Sequence, residues 1–272
     1  MSELFDRTYS LNLNGRLVTN LHIDFDITHT RSSEPNSAAI SVYNLSEDSR
    51  TGLSDAQNPV IELEAGYDGE NSLLFKGKAR RVVSSREGVD WVTTLECGDG
   101  EAEIRQSNIQ ISFPRGIAIE DVVEQLARHV GINAGNLKSA IKRKGFAAAF
   151  TEFARGASFS GSAHRIITRL SKSLGLNVSI QDEQYSVYEI DGGTVQGQSF
   201  SLSSETGMIG APESGDNGTL RVRSLLLPTI RPGHRVFVDS ENLKAFYRVK
   251  TARHTGSWRG AEWFTDLELA PL

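Results

Sequence analysis

Through the first hundred residues, apolar side chains recur at every second position. Ile23, Phe25 and Ile27 alternate with Asp24 and Asp26, and Ile40 with Val42 and Ile61 with Leu63 and Ala65 repeat the pattern. A period of two is that of a half-buried strand. Asp68-Gly-Glu-Asn supplies turn residues before Leu73-Leu-Phe, and Glu87-Gly-Val-Asp turns the chain before Trp91, Thr93, Leu95 and Cys97 alternate. Strands joined by turns, without a long helix, predict an antiparallel sheet or barrel.

The period changes after Pro114. Ile119, Val122, Val123, Leu126, Ala127 and Val130 form one stripe at helical spacing, with Glu120 and Asp121 in the first turn and Gly131 as a stop. Ala163, Ile166, Ile167, Leu170 and Leu174 predict a second helix over Ser162–Leu174, with Gly175 closing it. Leu176, Val178 and Ile180 then read as a strand, Gln181-Asp-Glu-Gln as a turn, and Tyr185-Ser-Val-Tyr as the returning strand. Residues 132–160 have no clear period, and Ala147 to Phe150 fit a short helix or a buried loop. Strand character returns from about residue 196, in Val222–Leu227, Val236–Val238, Phe246–Val249 and Trp263–Leu269, after the glycine-rich stretch Ser201–Gly218.

Residues 75–97 lie on residues 247–269 without a gap, and 8 of 23 positions are identical. Random pairing would give roughly one or two. The identities are Lys78/Lys250, Arg81/Arg253, Ser85/Ser257, Gly88/Gly260, Trp91/Trp263, Thr93/Thr265, Leu95/Leu267 and Glu96/Glu268. Convergence of two unrelated hairpins on good strand residues is one account of them. Duplication is the other, and it predicts two β domains of one type around an α+β insert. Three such chains would give six similar units with true threefold symmetry.

The 272 residues have room for two small β domains and an insert. Acidic residues outnumber basic ones 34 to 29, the reverse of a dedicated nucleic-acid binder. A single cysteine, Cys97, leaves no intramolecular disulfide or multi-cysteine metal site, and no apolar stretch approaches the ~20 residues of a membrane helix. No secretory signal is read at the start, so the chain is expected to be soluble and made in a cytoplasm.

His22, His29, His129, His164, His234 and His254 form no HExxH or close pair and read as surface or strand-end residues. There is no GxSxG, Walker A or strand-following GxGxxG sequence; Ser158-Phe-Ser-Gly-Ser looks like a helix cap. The pairs Asp24/Asp26, Glu62/Glu64 and Glu101/Glu103 have a spacing that a glycosidase could use. They read better as the wet face of a half-buried sheet. Cys97 stands where the echo has Leu269, which makes it a small core residue. Lys138, Lys142, Arg143 and Lys144 form the one local basic cluster, read as a solvated face. No catalytic, cofactor-binding or metal-binding residue is expected.

Several stretches carry a resemblance: Val42-Tyr-Asn-Leu-Ser, Leu63-Glu-Ala-Gly-Tyr-Asp-Gly, Phe159-Ser-Gly-Ser-Ala-His-Arg-Ile-Ile-Thr-Arg-Leu, Leu174-Gly-Leu-Asn-Val-Ser-Ile-Gln-Asp, Ser204-Glu-Thr-Gly-Met-Ile-Gly-Ala-Pro-Glu, the run from Val222 to Val236, and Tyr247-Arg-Val leading into Gly260-Ala-Glu-Trp-Phe-Thr-Asp-Leu-Glu. In this order, over about residues 36 to 272, the chain resembles baseplate hub proteins of contractile-tailed bacteriophages, which are related to hub domains of type VI secretion spikes. The first 35 residues carry less of the likeness.

The resemblance implies a homotrimer in which two tube-protein-like β domains per chain make a pseudo-sixfold ring. One side of that ring would continue the hexameric tail tube and the other seat a trimeric spike, with the genome channel passing through. It transfers no catalytic motif. The expected fold is α+β and β-dominated, with a first β domain over 1–112, an inserted α+β region over 113–195 and a second β domain over 196–272. Expected partners are further copies of the chain, the tail tube or tube-initiator protein, the spike, and also the tape measure protein and baseplate wedge components. Neither a membrane span nor specific nucleic-acid binding is expected. The expected location is the virion tail baseplate, after assembly in the host cytoplasm. Two other functions fit the residues less well: a distal tail or tube-initiator protein of a non-contractile phage, and a carboxylate-dependent cell-wall glycosidase.

Overall fold

The structure, a computed structural model, describes residues 6–31, 36–147, 151–189, 199–215 and 218–272. In chain order, β1 (Arg7–Leu13), β2 (Arg16–Val18), β3 (Ile23–Thr30) and β4 (Ser37–Tyr43) lead to the helix α1 (Glu47–Asp55), followed by β5 (Val60–Tyr67), β6 (Glu70–Glu87) and β7 (Asp90–Gly98). Next come α2 (Glu101–Gln106), β8 (Asn108–Phe113), β9 (Ile117–Ala118), α3 (Ile119–Val130), α4 (Leu137–Ala147), β10 (Glu152–Phe153), β11 (Ala157–Ser162), α5 (Ala163–Ser173), β12 (Leu176–Gln181) and β13 (Gln184–Glu189). The chain closes with β14 (Ser199–Leu202), β15 (Met208–Ser214), β16 (Leu220–Leu225), β17 (Arg235–Ser240), β18 (Leu243–Ser257) and β19 (Trp263–Pro271). The fold is β-dominated α+β, as the sequence pattern predicts.

The described residues up to Thr30, from Asn36 to Asp99 and from Ser199 onward form one compact unit. Its strands make one 13-stranded, largely antiparallel sheet. Alternation is clearest in β3, where Ile23, Phe25, Ile27 and His29 are buried while Asp24, Asp26 and Thr28 are half-exposed. Alternate side chains of a pleated strand point to opposite faces, so this spelling leaves one face for a core. The helix α1 interrupts the β pattern. Ser46 caps it by accepting the Ser49 amide at 3.3 Å, and Glu47 and Asp48 occupy the first turn. Leu53 is its buried side chain, so α1 has almost no apolar periodicity to read.

The sheet contains the same run of strands twice. The first half is ordered β3-β4-β7-β6-β5-β1, and the second is β15-β16-β19-β18-β17-β14. Corresponding strands also follow one another in the same chain order. Registers match closely: Ile40 lies opposite Leu95, and Val222 opposite Leu267. Each long hairpin carries one register shift, with Arg80 looping out between the Ala79/Cys97 and Arg81/Glu96 pairs. In the second hairpin, Lys250 loops out between Val249/Leu269 and Thr251/Glu268. Both extra residues are basic and each reaches the glutamate across from it, Arg80 to Glu96 at 3.9 Å and Lys250 to Glu268 at 2.7 Å. Bulges are costly local departures kept where a strand must bend, so one repeated at an equivalent position marks two versions of one unit.

The equivalence also corrects the ungapped alignment of the two segments. β7 and β19 correspond at an offset of 172, but β6 and β18 correspond at 170. The first hairpin turns through Gly88 and Val89, while the second has Trp258 to Ala261 between Ser257 and Glu262, two residues more. Lys78/Lys250, Arg81/Arg253 and Ser85/Ser257 are therefore not equivalent positions. Trp91/Trp263, Thr93/Thr265, Leu95/Leu267 and Glu96/Glu268 are. The halves differ at their outer strand, since β1 runs antiparallel to β5 and β14 parallel to β17.

The second unit holds the described residues from Gly100 to Glu189 and Arg31. Its core is the apolar stripe of α3, where all six expected residues are buried, packed with α4, α5 and the β12–β13 hairpin. The helix α3 stops at Gly131, whose φ of 82° suits glycine and whose amide bonds the Ala127 and Arg128 carbonyls. The second expected helix is α5, with Ser162 at its N-cap. β8 pairs with β11, which places residues 108–113 in this unit. The unpatterned stretch 132–160 contains α4 and the short strand β10; Ala148 to Phe150 lie outside the described residues.

Candidate assembly interface

Where the two halves of the sheet meet, β18 is long enough to serve two neighbours. Its first part, Leu243–Arg248, pairs with β17, and its second part, Thr251–Ser257, pairs with β3 of the first half. Thr251 lies opposite Thr30, His254 opposite Ile27 and Ser257 opposite Asp24. The bulge at Lys250 separates the two parts, bending the strand away from one partner and toward the other.

On the outward face of this joint, charged side chains form a ladder. Arg253 donates to Asp26 through Nε at 2.9 Å and Nη2 at 2.6 Å. Arg223 grips Asp266 in the same two-pronged way, at 2.7 and 3.0 Å, and Asp266 stands directly opposite Arg253 in the sheet. The hydrogen bond from Arg253 to Asp26, then their charge attraction, raises the guanidinium pKa further. Such exposed pairs fix register more than they stabilise, at about 1 kcal/mol each even with bidentate geometry.

The inward face is apolar and tight. The Phe25 ring meets Trp263 edge to face at 5.2 Å, and Trp263 is fully buried. Opposite Phe25 stands Gly256, where an added Cβ would come within 2.2 Å of the ring. One turn of the pleat further on, His29 and His254 lie edge to face at 5.6 Å, both fully buried. His254 Nδ1 pairs with the Thr265 hydroxyl at 2.9 Å, and His29 Nε2 with the Leu74 carbonyl at 3.0 Å. Burial, then the charges of His29 and Arg231, holds His254 well below the usual imidazole range. The expectation of surface or strand-end histidines therefore fails for His254, inside β18, and for His164, which is buried in α5 with Nδ1 3.1 Å from the Tyr185 hydroxyl, while His29 is buried next to the end of β3.

The remaining candidate residues are not brought together into one site. Asp24 accepts from the Tyr43 hydroxyl at 2.9 Å, and Glu62 lies 3.7 Å from Lys76 on the half-exposed face of β5. Glu64 shares that face, whereas Glu101 and Glu103 belong to α2 and not to a strand. Cys97 is buried in the core, and burial pushes its thiol up to about 12. Of the basic cluster, Lys138 reaches Glu124 at 2.5 Å and Asp121 at 3.3 Å, while Lys142 lies 3.9 Å from Glu120. The acidic first turns of α3 thus answer that charge. Among the described residues no group of three or more histidine, cysteine or acidic side chains could hold a metal ion, and no helix is long and apolar enough to cross a membrane.

Sequence reasoning missed the joint itself. Its signals were there in the glycine of Thr255-Gly256-Ser257 and in the alternation of Phe25 with acids, but pairing across more than 200 residues leaves no local mark.

Similar folds are found among solved structures. A tail protein from Neisseria meningitidis MC58 matches with a TM-score of 0.67 at 13% identity, covering 97% of this chain and 96% of that one. A 43 kDa tail protein of prophage MuSo2 from Shewanella oneidensis matches with a TM-score of 0.67 at 9% identity, over 98% and 97%. The E. coli c3393 protein, described as a type VI secretion component similar in structure to the T4 tail proteins gp27 and gp5, matches with a TM-score of 0.63 at 12% identity, over 96% and 76%. At these identities the likeness is one of fold. No curated protein sequence matches the chain. The family model described as baseplate hub gp41 matches residues 8–243, far more than half of the length. A family match of that extent leads to one assignment: the chain belongs to the baseplate hub gp41 family, with a structural role in the phage tail baseplate.

Proposed function

We propose that three copies of this chain form a pseudo-sixfold ring that joins the hexameric tail tube to the trimeric central spike and lets the genome channel continue. The observation that carries this reading is the doubled sheet: six strands in the same order twice, down to a basic bulge in each long hairpin. A part that has both symmetries mates a sixfold object to a threefold one with equivalent contacts on each side, and two near-copies per chain in a trimer supply them. The two β segments act as tube-like domains, and the second unit, whose described residues run from Gly100 to Glu189, is the insert between them. The assembly works by surface complementarity and not by catalysis, so cell-wall cleavage belongs to other proteins of the particle.

The tube or its initiator protein is the partner on one side and the spike on the other, with tape measure and wedge components as neighbours. The ring is a part of the virion, assembled in the host cytoplasm. Native mass spectrometry of isolated tail tips, with the chain labelled, should show three copies per tip. One, two or six copies would refute the reading.

A further inference from the structure

The intrachain joint predicts a second joint that a single chain leaves unmade. β6 has the same two-part build as β18: its first part pairs with β5, and beyond the Arg80 bulge its second part, Arg81–Glu87, pairs with β7 on one side only. Its equivalent, Thr251–Ser257, is the stretch that holds β3. At the other end of the sheet, β15 is the equivalent of β3 and pairs with β16 on one side only. Each chain therefore presents one edge of each kind, and the inner joint shows how the two kinds fit.

We infer that β15 of one copy adds to Arg81–Glu87 of β6 in the next, repeating between chains the contact that β3 and β18 make within one. This rests on the reading of the chain as a ring-forming hub. Head-to-tail pairing closes after three copies when the inner and outer joints together turn the sheet through a third of a circle, and the ring is pseudo-sixfold when the two joints turn it equally. The equivalences set the register. His254 opposite Ile27 translates to Ser84 opposite Ser214, and Thr255 opposite Asp26 to Ser85 opposite Glu213.

Three features of the free chain fit an unmade joint there. Trp91 holds the position of Trp263, on the same face of its strand, with its carbonyl accepting the Asn44 amide as that of Trp263 accepts the Leu226 amide. Yet Trp263 is fully buried, against Phe25 of β3 across the joint, while Trp91 is 38% exposed, with the Arg50 guanidinium 4.2 Å over its ring. Val83 on β6 and Ile209 on β15 are likewise among the exposed large apolar side chains, one on each open edge. Bulk is also exchanged across the joint. Inside the chain a glycine, Gly256, faces a phenylalanine; at the open edges Arg86 stands where Gly256 does, and Gly210-Ala211-Pro212 where Phe25 does.

The test places Ser84→Cys and Ser214→Cys together in the full chain, assembles tails and oxidises them. Cys97 is buried and stays out of the reaction. A covalent trimer on a non-reducing gel is expected. Ser85→Cys with Ser214→Cys, one residue out of register and so on opposite faces, should give none. Three copies per tip without cross-linking of the first pair, or equal cross-linking of both, would overturn this joint and leave the ring standing. A copy number other than three would overturn the ring as well. As a measurement on the unaltered edge, tryptophan emission should shift to the blue on assembly, and Trp91→Phe should abolish most of that shift. An unchanged shift in the Trp91→Phe chain would count against the joint.

Discussion

Replacing Phe25 by alanine removes the ring that fills the inner joint, and its cost can be worked out from what surrounds it. The ring is almost fully buried, packs on Trp263, and occupies the space left by the missing Cβ of Gly256. Phe→Ala in a core costs about 3–5 kcal/mol, depending on how far the site collapses. Gly256 has no side chain to move inward, so the site collapses little and the loss should be ~4 kcal/mol, the middle of that range. For a unit of this size it corresponds to a fall of roughly 8–16 °C in melting temperature.

Gly256→Val, with Phe25 kept, forces atoms into the ring and should cost about 1–3 kcal/mol or more. Combined, the valine fills part of the vacated space, and the double variant should be more stable than the sum of the single losses by at least ~1 kcal/mol. Trp91, Trp258 and Trp263 all lie in the sheet-bearing unit, so tryptophan fluorescence during urea or thermal unfolding reports that unit and not the helical one. A loss below ~1 kcal/mol for Phe25→Ala, or strictly additive single variants, would refute the packing argument.

Arg253→Lys keeps the charge but not the two-pronged contact with Asp26, and should lose about 0.5–1 kcal/mol in urea titrations, with the difference shrinking at high salt. Stability should fall with acid before the carboxylates titrate. Burial, then Arg231, holds His234 at about 4 against about 6.5 when unfolded, and His254 is lowered too. The unfolded chain therefore binds protons first, so their contribution is complete above pH ~6.5 and is lost as pH falls toward 4. Discounted for its partial exposure, His234 alone is worth roughly 2 kcal/mol in that window, and His234→Gln should flatten the curve there. Cys97 should resist a thiol reagent at pH 8 in the folded chain and react fully in denaturant; prompt reaction in the native state would contradict its burial.

Local physics was legible in the sequence, and distant pairing was not. The six-residue stripe of α3 and the cap and stripe of α5 could be read directly because 3.6-residue periodicity is a property of neighbouring residues. The alternation of β3 likewise marked its core face. The helix α1 escaped because a single buried leucine makes no stripe, and α4 because its periodicity is weak. The echo was visible for β7 and β19, whose residues match one for one. It misled for β6 and β18, where the two-residue difference in the turns shifts one strand against the other. A shift of two preserves which face each side chain takes, so the false alignment kept the correct in-and-out pattern. Asp24/Asp26 and Glu62/Glu64 read correctly as wet-face strand residues, while Glu101/Glu103 fall in α2, and nothing local marked Asp26 as the partner of Arg253, 227 positions away.

The differences between the made and unmade joints follow from when each forms. The inner joint closes during folding, so its residues need never meet water: Gly256, His254 and Ala252 line β18, and Phe25 and Ile27 line β3. The outer joint we propose would wait for another chain, and its residues would have to tolerate exposure first. In the same positions β6 carries Arg86, Ser84 and Val82, and β15 carries Ser214 in place of Ile27. An exposed strand edge invites pairing with any other strand, and charged residues, proline and bulges are the usual protection. All three are present here: Arg81 and Arg86 on one edge, Pro212 and an irregular register between Ile209 and Glu213 on the other. Such an edge pairs weakly with an arbitrary strand, yet fits the one partner whose small residues receive the arginine. In the ring proposed above, the outer joint is thus less apolar than the inner one, and closing that ring would depend on all three joints forming together.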